Sequence, residues 1–287
     1  MKIILFGATG QLGSSLHKYL CSHHQIISDM NNDQRIDLRS KSQVENFLQE
    51  NPADLYINAA AYTNVDEAEI NQKECLDVNY EFIKILVNFL KTHSKPLIHF
   101  STDYVYGNHE DEYLKEVNKL NPINFYGKSK KLGEQEISDH LSHYFIFRIS
   151  WLYSHNRKNF YVTMKNLFQQ RNEISIVNDQ WGSPTPVEFV SEHIKFLVNY
   201  NSLNISNAGI YNLSPKGNTT WYLFAQHILK SLNNDLSKTV LLQSINSDEY
   251  LTKAKRQKNS KMSCEKFQNT FKVEIEDWIF LYKKYEY

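Results

Sequence analysis

The sequence predicts an α/β protein built as a doubly wound parallel sheet with a smaller C-terminal substrate-binding lobe. Three observations predict it. Short apolar runs alternate with helix-length amphipathic runs up to about residue 150, the pattern of β-α-β units. A glycine-bearing turn joins the first run to the first helix. Polar residues cluster just after several apolar runs, and in open α/β sheets ligands bind at the strands' carboxyl ends. Residues 1–150 are therefore expected to form a Rossmann-like NAD(P)-binding domain. Residues 151–287 are expected to form mainly the substrate lobe, with some segments returning to the first domain.

The first strand is expected at MKIILF, residues 1–6. Gly7, Gly10 and Gly13 follow as G-x-x-G-x-x-G, with Leu12, Leu16 and Leu20 on one side of a helix. A glycine pattern between a strand and a helix is a dinucleotide signal with a mechanism. Gly7 allows the tight turn, Gly10 lets a pyrophosphate reach the helix N-terminus, and Gly13 allows close helix–strand packing. No Gly-Lys-Ser/Thr follows, which disfavours a phosphate-loop NTPase.

The second strand is QIIS, residues 25–28, ending at Asp29. Asp29 lies 19 residues after Gly10, near the spacing at which an acid meets the adenosine ribose. An acid there favours NAD over NADP, although Arg35 and Arg39 can offset it. Asp37 and Leu38 open the next connection, where an adenine can lie. A helix is expected over residues 40–50 and a strand over 53–58. That strand ends in Asn58-Ala59-Ala60-Ala61, small residues that let a ribose or nicotinamide approach the backbone or simply allow tight packing. Asp66, Glu67 and Glu69 read as solvated helix-capping acids. One long amphipathic helix is expected over 72–91.

The next strand, LIHF, is followed by Ser101, Thr102 and Asp103 at its carboxyl end. Tyr126 and Lys130 lie four apart, one helical turn on the same face. A free phenol has a pKa of about 10. A neighbouring ammonium lowers it, so such a tyrosine can give a proton to a carbonyl oxygen as hydride reaches the carbon, while the Thr102 hydroxyl holds that oxygen. The helix from Tyr126 runs on to residue 140, and YFIFRI (144–149) is a further strand followed by Trp151. Beyond it, helices are expected over 160–170, 187–200 and, from Thr219 or Thr220, to 232, with strands at 174–177 and 209–213. Residues 233–262 are polar and weakly patterned, and 277–285 is a terminal helix.

Composition excludes other classes. The chain has 287 residues with 32 basic and 32 acidic side chains, so no basic excess points to nucleic acid or to an anionic membrane. No apolar run approaches the roughly 20 residues of a membrane span, and the N-terminus does not have the pattern of a signal peptide. Cys21, Cys75 and Cys264 are isolated, which argues for a reducing, cytoplasmic setting and against a disulfide frame or a zinc site. The eleven histidines include no H-x-x-x-H pair, and no metal site is expected.

Several segments together resemble a known family. They are LFGATGQLG (5–13), NAAAYTNVDEAE (58–69), HFSTDYVYG (99–107), NPINFYGKSKKLGE (121–134), FRISWLYS (147–154), VNDQWGSPT (177–185), and GIYNL with TTW (209–213, 219–221). In this order they resemble the extended short-chain dehydrogenase/reductases, in the branch of the dTDP-4-dehydrorhamnose reductases. The resemblance implies reduction of a dTDP-4-keto-6-deoxy-L-sugar by NADPH or NADH. It implies catalytic roles for Thr102, Tyr126 and Lys130, and pyrophosphate binding by Gly7, Gly10, Gln11, Leu12 and Gly13. It places Asp37 and Leu38 at the adenine, Ala59, Ala60 and Ala61 at the nicotinamide, and Asp103, Tyr104 and Trp151 at the sugar. It leaves open a homodimer, another nucleotide-linked deoxysugar as substrate, and a regulatory subunit of the same fold.

Two places depart from the family. Some members use a glutamate after the third glycine as a magnesium ligand. Ser14 and Ser15 stand there, although Glu188 matches another ligand of that site. An Arg-Pro-x-Asn-Ser segment is here Arg256-Gln257-Lys258-Asn259-Ser260, without the proline.

Overall fold

In the computed structural model, which describes residues 1–31, 34–109, 112–232 and 239–285, the main elements are as follows in chain order. They are β1 (Lys2–Phe6), α1 (Gln11–Leu20), β2 (Gln25–Ser28), α2 (Lys41–Glu50), β3 (Leu55–Asn58), α3 (Phe82–His93), β4 (Leu97–Thr102), α4 (Phe125–His140) and β5 (Tyr144–Ile149). Then come α5 (Phe160–Gln170), β6 (Glu173–Val177), α6 (Val187–Asn199), β7 (Gly209–Asn212), α7 (Trp221–Leu232), β8 (Leu241–Ile245) and α8 (Trp278–Tyr285). Six strands form one sheet in the order β7-β5-β4-β3-β1-β2, every neighbour parallel.

Strand alternation divides the core into two layers, because successive side chains leave a strand on opposite faces. Ile3, Leu5, Leu55, Ile57, Ile98, Phe100, Phe145 and Phe147 pack with Leu12, Leu16 and Leu20 of α1 and with the apolar face of α6. Ile4, Phe6, Tyr56, Leu97 and Ile146 pack with α2 and α3 on the other side. Helices cover both faces, as a parallel sheet requires. A third core gathers Tyr153, Tyr161, Met164, Phe168, Phe224, Trp278 and Tyr282 beneath the C-terminal segments.

Three features differ from the sequence expectations. The helix expected over 72–91 is interrupted: Gln72–Leu76 passes into a π turn at Asp77–Glu81 before α3 begins. Apolar periodicity does not register one extra residue per turn, so the break has no signature in the pattern. The Asn79 side chain, inside the π turn, donates to the Tyr62 carbonyl and to Ser129 Oγ at 2.9 Å. The weakly patterned stretch 233–262 contains a strand, β8, parallel to β6; its residues 233–238 lie outside the described residues. β8 is largely exposed, so it shows no period-2 burial signal. Third, Asp66, Glu67 and Glu69 do more than cap. Asp66 pairs with Arg256 at 2.7 Å, Glu67 with Lys253 at 3.0 Å, and Glu69 accepts from the Phe125 amide at 2.7 Å.

The chain also returns to the first domain after residue 151. β7 adds the sheet's outer strand beside β5, and α6 packs on α1, where Ser191 Oγ donates to Ser15 Oγ at 2.7 Å. Among the described residues, no helix is long and apolar enough to cross a membrane.

Candidate active site

The glycine turn is shaped by what surrounds it. Gly7 has φ +80°, and a Cβ there would lie 2.5 Å from the Ala60 amide. A Cβ on Gly13 would lie 2.0 Å from the Gly7 carbonyl oxygen. Both glycines are demanded by packing. Gly10 differs: its Cβ would meet little besides the Gly7 carbonyl at 3.2 Å, and it is exposed. It is the N-cap of α1 and makes no side-chain cap bond. The first amides of a helix have no partner within it, and the dipole there favours an anion. The residues present therefore fit a diphosphate at this turn.

The other residues expected at the cofactor divide into two sets. Ala59 and Ala60, just after β3, adjoin Gly7 through their backbone, and Ala61 follows them. Leu38 is buried in the core, and Asp37 is paired with Arg39 at 2.9 Å on the surface, which holds its carboxyl below the usual range. Leu12 is buried in the core beneath α1. Asp29 is fully buried, and Oδ1 accepts from the Ala8 amide at 3.3 Å. The carboxylate thus supports the glycine turn instead of presenting itself to solvent. The side chain of Arg35 lies outside the described residues. Gln11 turns its amide away from the turn: Nε2 donates to the Leu152 carbonyl at 3.1 Å, and Oε1 accepts from Ser154 Oγ at 3.0 Å and from Asn159 Nδ2 at 2.8 Å.

The proton-handling residues meet where β4 ends. Thr102 is the last residue of β4 and Tyr126 stands in the first turn of α4, with the Thr102 side chain beside the phenol; Thr102 Oγ1 donates to Asp103 Oδ1 at 3.0 Å. Asn124 caps α4 by accepting from the Gly127 amide at 2.8 Å. Ser129 Oγ donates to the Tyr126 carbonyl at 2.8 Å and accepts from Asn79. The π turn of the preceding helix thus braces the turn that carries Tyr126. Tyr104 meets the Tyr126 ring edge-on, with centroids 5.8 Å apart.

Burial pushes the Tyr126 hydroxyl well above its ordinary pKa, and the nearby Asp103 carboxylate pushes the same way. This differs from the expectation that Lys130 lowers it. Lys130 is buried one turn along the same helix, but its Nζ lies 2.7 Å from the Phe100 carbonyl and 3.1 Å from His99 Nε2. Burial lowers its pKa to about 8. Asp103 is also buried, which raises its carboxyl to about 6 against the hydrogen bonds of Ser260, Thr102 and Gln257. Trp151 has φ +46° and stacks on Trp221 at 3.5 Å with planes 10° apart. Gly182 lies under the same indole, where a Cβ would come within 2.5 Å.

The segment Arg256–Ser260, singled out in the sequence by its resemblance to the family, belongs to a strap, residues 253–260, that reaches this site from the C-terminal part. Gln257 Nε2 donates to the Asp103 carbonyl at 3.1 Å and to Asp103 Oδ2 at 3.0 Å. Arg256 pairs with Asp66 at 2.7 Å and donates to the Ala254 carbonyl at 3.3 Å. The strap's individual contacts were not legible in the sequence, since they are single polar bonds without period. Sequence reasoning missed His99 and Asn58, and there a signal existed: a histidine inside an apolar strand run is a buried polar group that needs partners. A buried ion pair was missed too. Glu134 holds Arg148 at 2.6 Å, with the guanidinium 4.7 Å over the Tyr106 ring.

Comparison with known proteins agrees with this geometry. The family model described as RmlD substrate binding domain matches residues 1–283. The dTDP-4-dehydrorhamnose reductase of Shigella flexneri is 32% identical over 97% of this chain and 94% of its own. A spore coat polysaccharide biosynthesis protein of Bacillus subtilis is 32% identical over 91% of this chain and 89% of its own. The crystal structure of dTDP-4-dehydrorhamnose reductase from Bacillus anthracis, in complex with NADP, superposes with a TM-score of 0.90 at 31% identity, covering 99% of this chain and 98% of that one. The UDP-glucose 4-epimerase of Thermus thermophilus, at 17% identity and a TM-score of 0.77, shares the fold. On the match across nearly its whole length, the chain belongs to the RmlD substrate binding domain family.

Proposed function

We propose that this chain reduces the C4 ketone of dTDP-4-dehydro-6-deoxy-L-mannose to dTDP-L-rhamnose with NADPH or NADH, in the cytoplasm. The observation that carries the reading is the placing of Thr102, Tyr126 and Lys130, all buried, at the end of a central strand and along one helix, in a fold whose glycine turn leaves a helix N-terminus open. Residues 1–150 hold the cofactor in this reading, and residues 151–287 mainly hold the sugar nucleotide.

The nicotinamide supplies the hydride when bound, and this chain's residues do the rest. The first-turn amides of α1 hold the diphosphate, with Gly10 providing the approach. Tyr126 gives its proton to the C4 oxygen. Burial suits it to this task, because it keeps the phenol protonated until the oxygen acquires charge. Thr102 Oγ1 accepts from the Tyr104 amide at 3.2 Å and donates to Asp103 Oδ1 at 3.0 Å, and it shares the substrate oxygen by turning that one proton from Asp103 to it. Lys130 lies below, where an N–H can reach the ribose. Trp151, in its stack with Trp221, and Tyr104 bound the sugar. Asp29 has no exposed carboxylate to repel a 2′-phosphate, so both cofactors are accepted.

The test is loss of nicotinamide absorbance with the 4-keto sugar nucleotide made in the same tube by a dehydratase and an epimerase, with NADPH and NADH tried separately. Oxidation is expected with wild-type protein. Tyr126→Phe is expected to lose about 100- to 10,000-fold in rate while still binding cofactor. No oxidation of either cofactor by protein that binds it would overturn the reading. Gln257, standing where relatives carry proline, favours one second reading, a different nucleotide-linked 4-keto sugar, which the same assay distinguishes.

A further inference from the structure

The groups beneath Lys130 form a chain whose hydrogen atoms can be counted. Asn58, His99 and Lys130 are all buried, at 0%, 1% and 1% exposure, so water does not complete their bonding. Asn58 Oδ1 lies 3.0 Å from the Ala60 amide, which can only donate. That contact fixes the amide's orientation, since a flip would set two N–H groups against each other. Asn58 Nδ2 therefore faces His99 Nδ1, 3.0 Å away, and donates to it. An imidazole that accepts at Nδ1 carries its proton on Nε2 if it is neutral. His99 is neutral: burial holds its pKa well below the ordinary value. Its Nε2–H then points at Lys130 Nζ across 3.1 Å. An ammonium has three donors and no acceptor and opposes that N–H. A neutral amine accepts it through its lone pair and donates one N–H to the Phe100 carbonyl at 2.7 Å.

We propose that Asn58 and His99 are positioning residues that set the charge of Lys130, by presenting it with an N–H that only the neutral amine can accept. This rests on the reading of Lys130 as part of the reductase site, and it extends that reading by two residues. The neutral amine keeps a second N–H for a ligand hydroxyl. Protonation turns the His99 contact repulsive and drives Nζ away from β4. The other titratable groups facing Lys130 are Glu134, one turn along α4, and Cys75, from the helix before the π turn; both favour the charged form. Glu134 is already engaged by Arg148 at 2.6 Å. Burial outweighs them, and Lys130 titrates at about 8. Without the relay, the Phe100 carbonyl and Glu134 would both favour an ammonium.

The experiment is nitrogen NMR on the full-length, cofactor-free protein labelled at histidine and lysine. The wild type is expected to show His99 as the Nε2–H tautomer and a lysine titrating near 8. Asn58→Asp reverses the polarity, because a carboxylate accepts both the Ala60 amide and a His99 Nδ1–H. His99 Nε2 then becomes an acceptor for an ammonium. The expected result is the Nδ1–H tautomer together with a Lys130 midpoint raised by about one pH unit or more. A wild-type His99 protonated on Nδ1 overturns the proposal. So does a variant whose tautomer switches while the Lys130 midpoint stays. If Asn58→Asp does not fold, the wild-type tautomer alone decides. Neither readout involves substrate, so absence of ketone reduction counts against the proposed function and leaves the relay standing or falling on its own spectra.

Discussion

Two regions reach the same site by different means. The sheet region delivers Thr102, Tyr126 and Lys130 from the regular elements β4 and α4, each fixed by buried neighbours on both sides. The strap delivers Arg256, Gln257 and Ser260 from irregular chain, fixed by a few polar bonds to Asp66 and Asp103. The difference teaches that one site can have a rigid floor and a separately held wall. Damage to the floor should appear as lost stability, and damage to the wall as altered ligand binding.

The largest effect expected on the floor comes from Gly13→Ala. Its Cβ would sit 2.0 Å from the Gly7 carbonyl, a backbone atom that cannot step aside. Urea unfolding should show a loss of about 1–3 kcal/mol, with cofactor affinity falling as well. Wild-type stability would break the comparison on the floor's side. On the wall, Arg256→Met removes a part-buried ion pair whose two side chains are 25% and 33% exposed. Stability should change by less than about 1 kcal/mol, while KM for the sugar nucleotide rises about tenfold, a binding loss of about 1.4 kcal/mol. A large loss of stability with KM unchanged would make the strap part of the floor.

A test confined to one pH window sharpens the boundary at Asp103, which the wall's Gln257 touches on the floor's own residue. Burial raises this carboxyl from 3.8 to about 6. The folded protein therefore holds the proton more tightly than the unfolded chain. The associated stability is full below pH 3.8 and is lost as pH rises through about 6. Asp103→Asn should flatten stability across that window, measured as melting temperature against pH. An unchanged slope would mean that Asp103 is not the group titrating there.

Much of the floor was legible because periodicity and composition record burial. The alternation in MKIILF, the glycine spacing and the four-residue step from Tyr126 to Lys130 each follow from a local geometric need. What stayed hidden depends on partners distant in sequence. The Gln11 side chain bonds Leu152, Ser154 and Asn159, more than 140 residues away, a role that no local pattern records. Asp29 has the ribose spacing, yet the fold turns it inward to Ala8. The Asp66–Arg256 pair spans 190 residues and leaves no local trace. The π turn at Asp77–Glu81 was hidden for a different reason: the residue it buries is the polar Asn79, and an apolar pattern does not register one extra residue in a turn.

The position of β7 also bears on how the chain is made. β7 covers the outer edge of β5, yet it lies at 209–212, whereas β5 is complete at residue 149. A nascent chain emerging from the N-terminal end therefore presents β5 as an uncovered edge while the intervening 60 or so residues are made, about 3–13 s at ordinary elongation rates. Unpaired strand edges template association with other chains, and β5 is almost wholly apolar on both faces. During synthesis, this interval is the stretch in which a holding chaperone would protect the chain most.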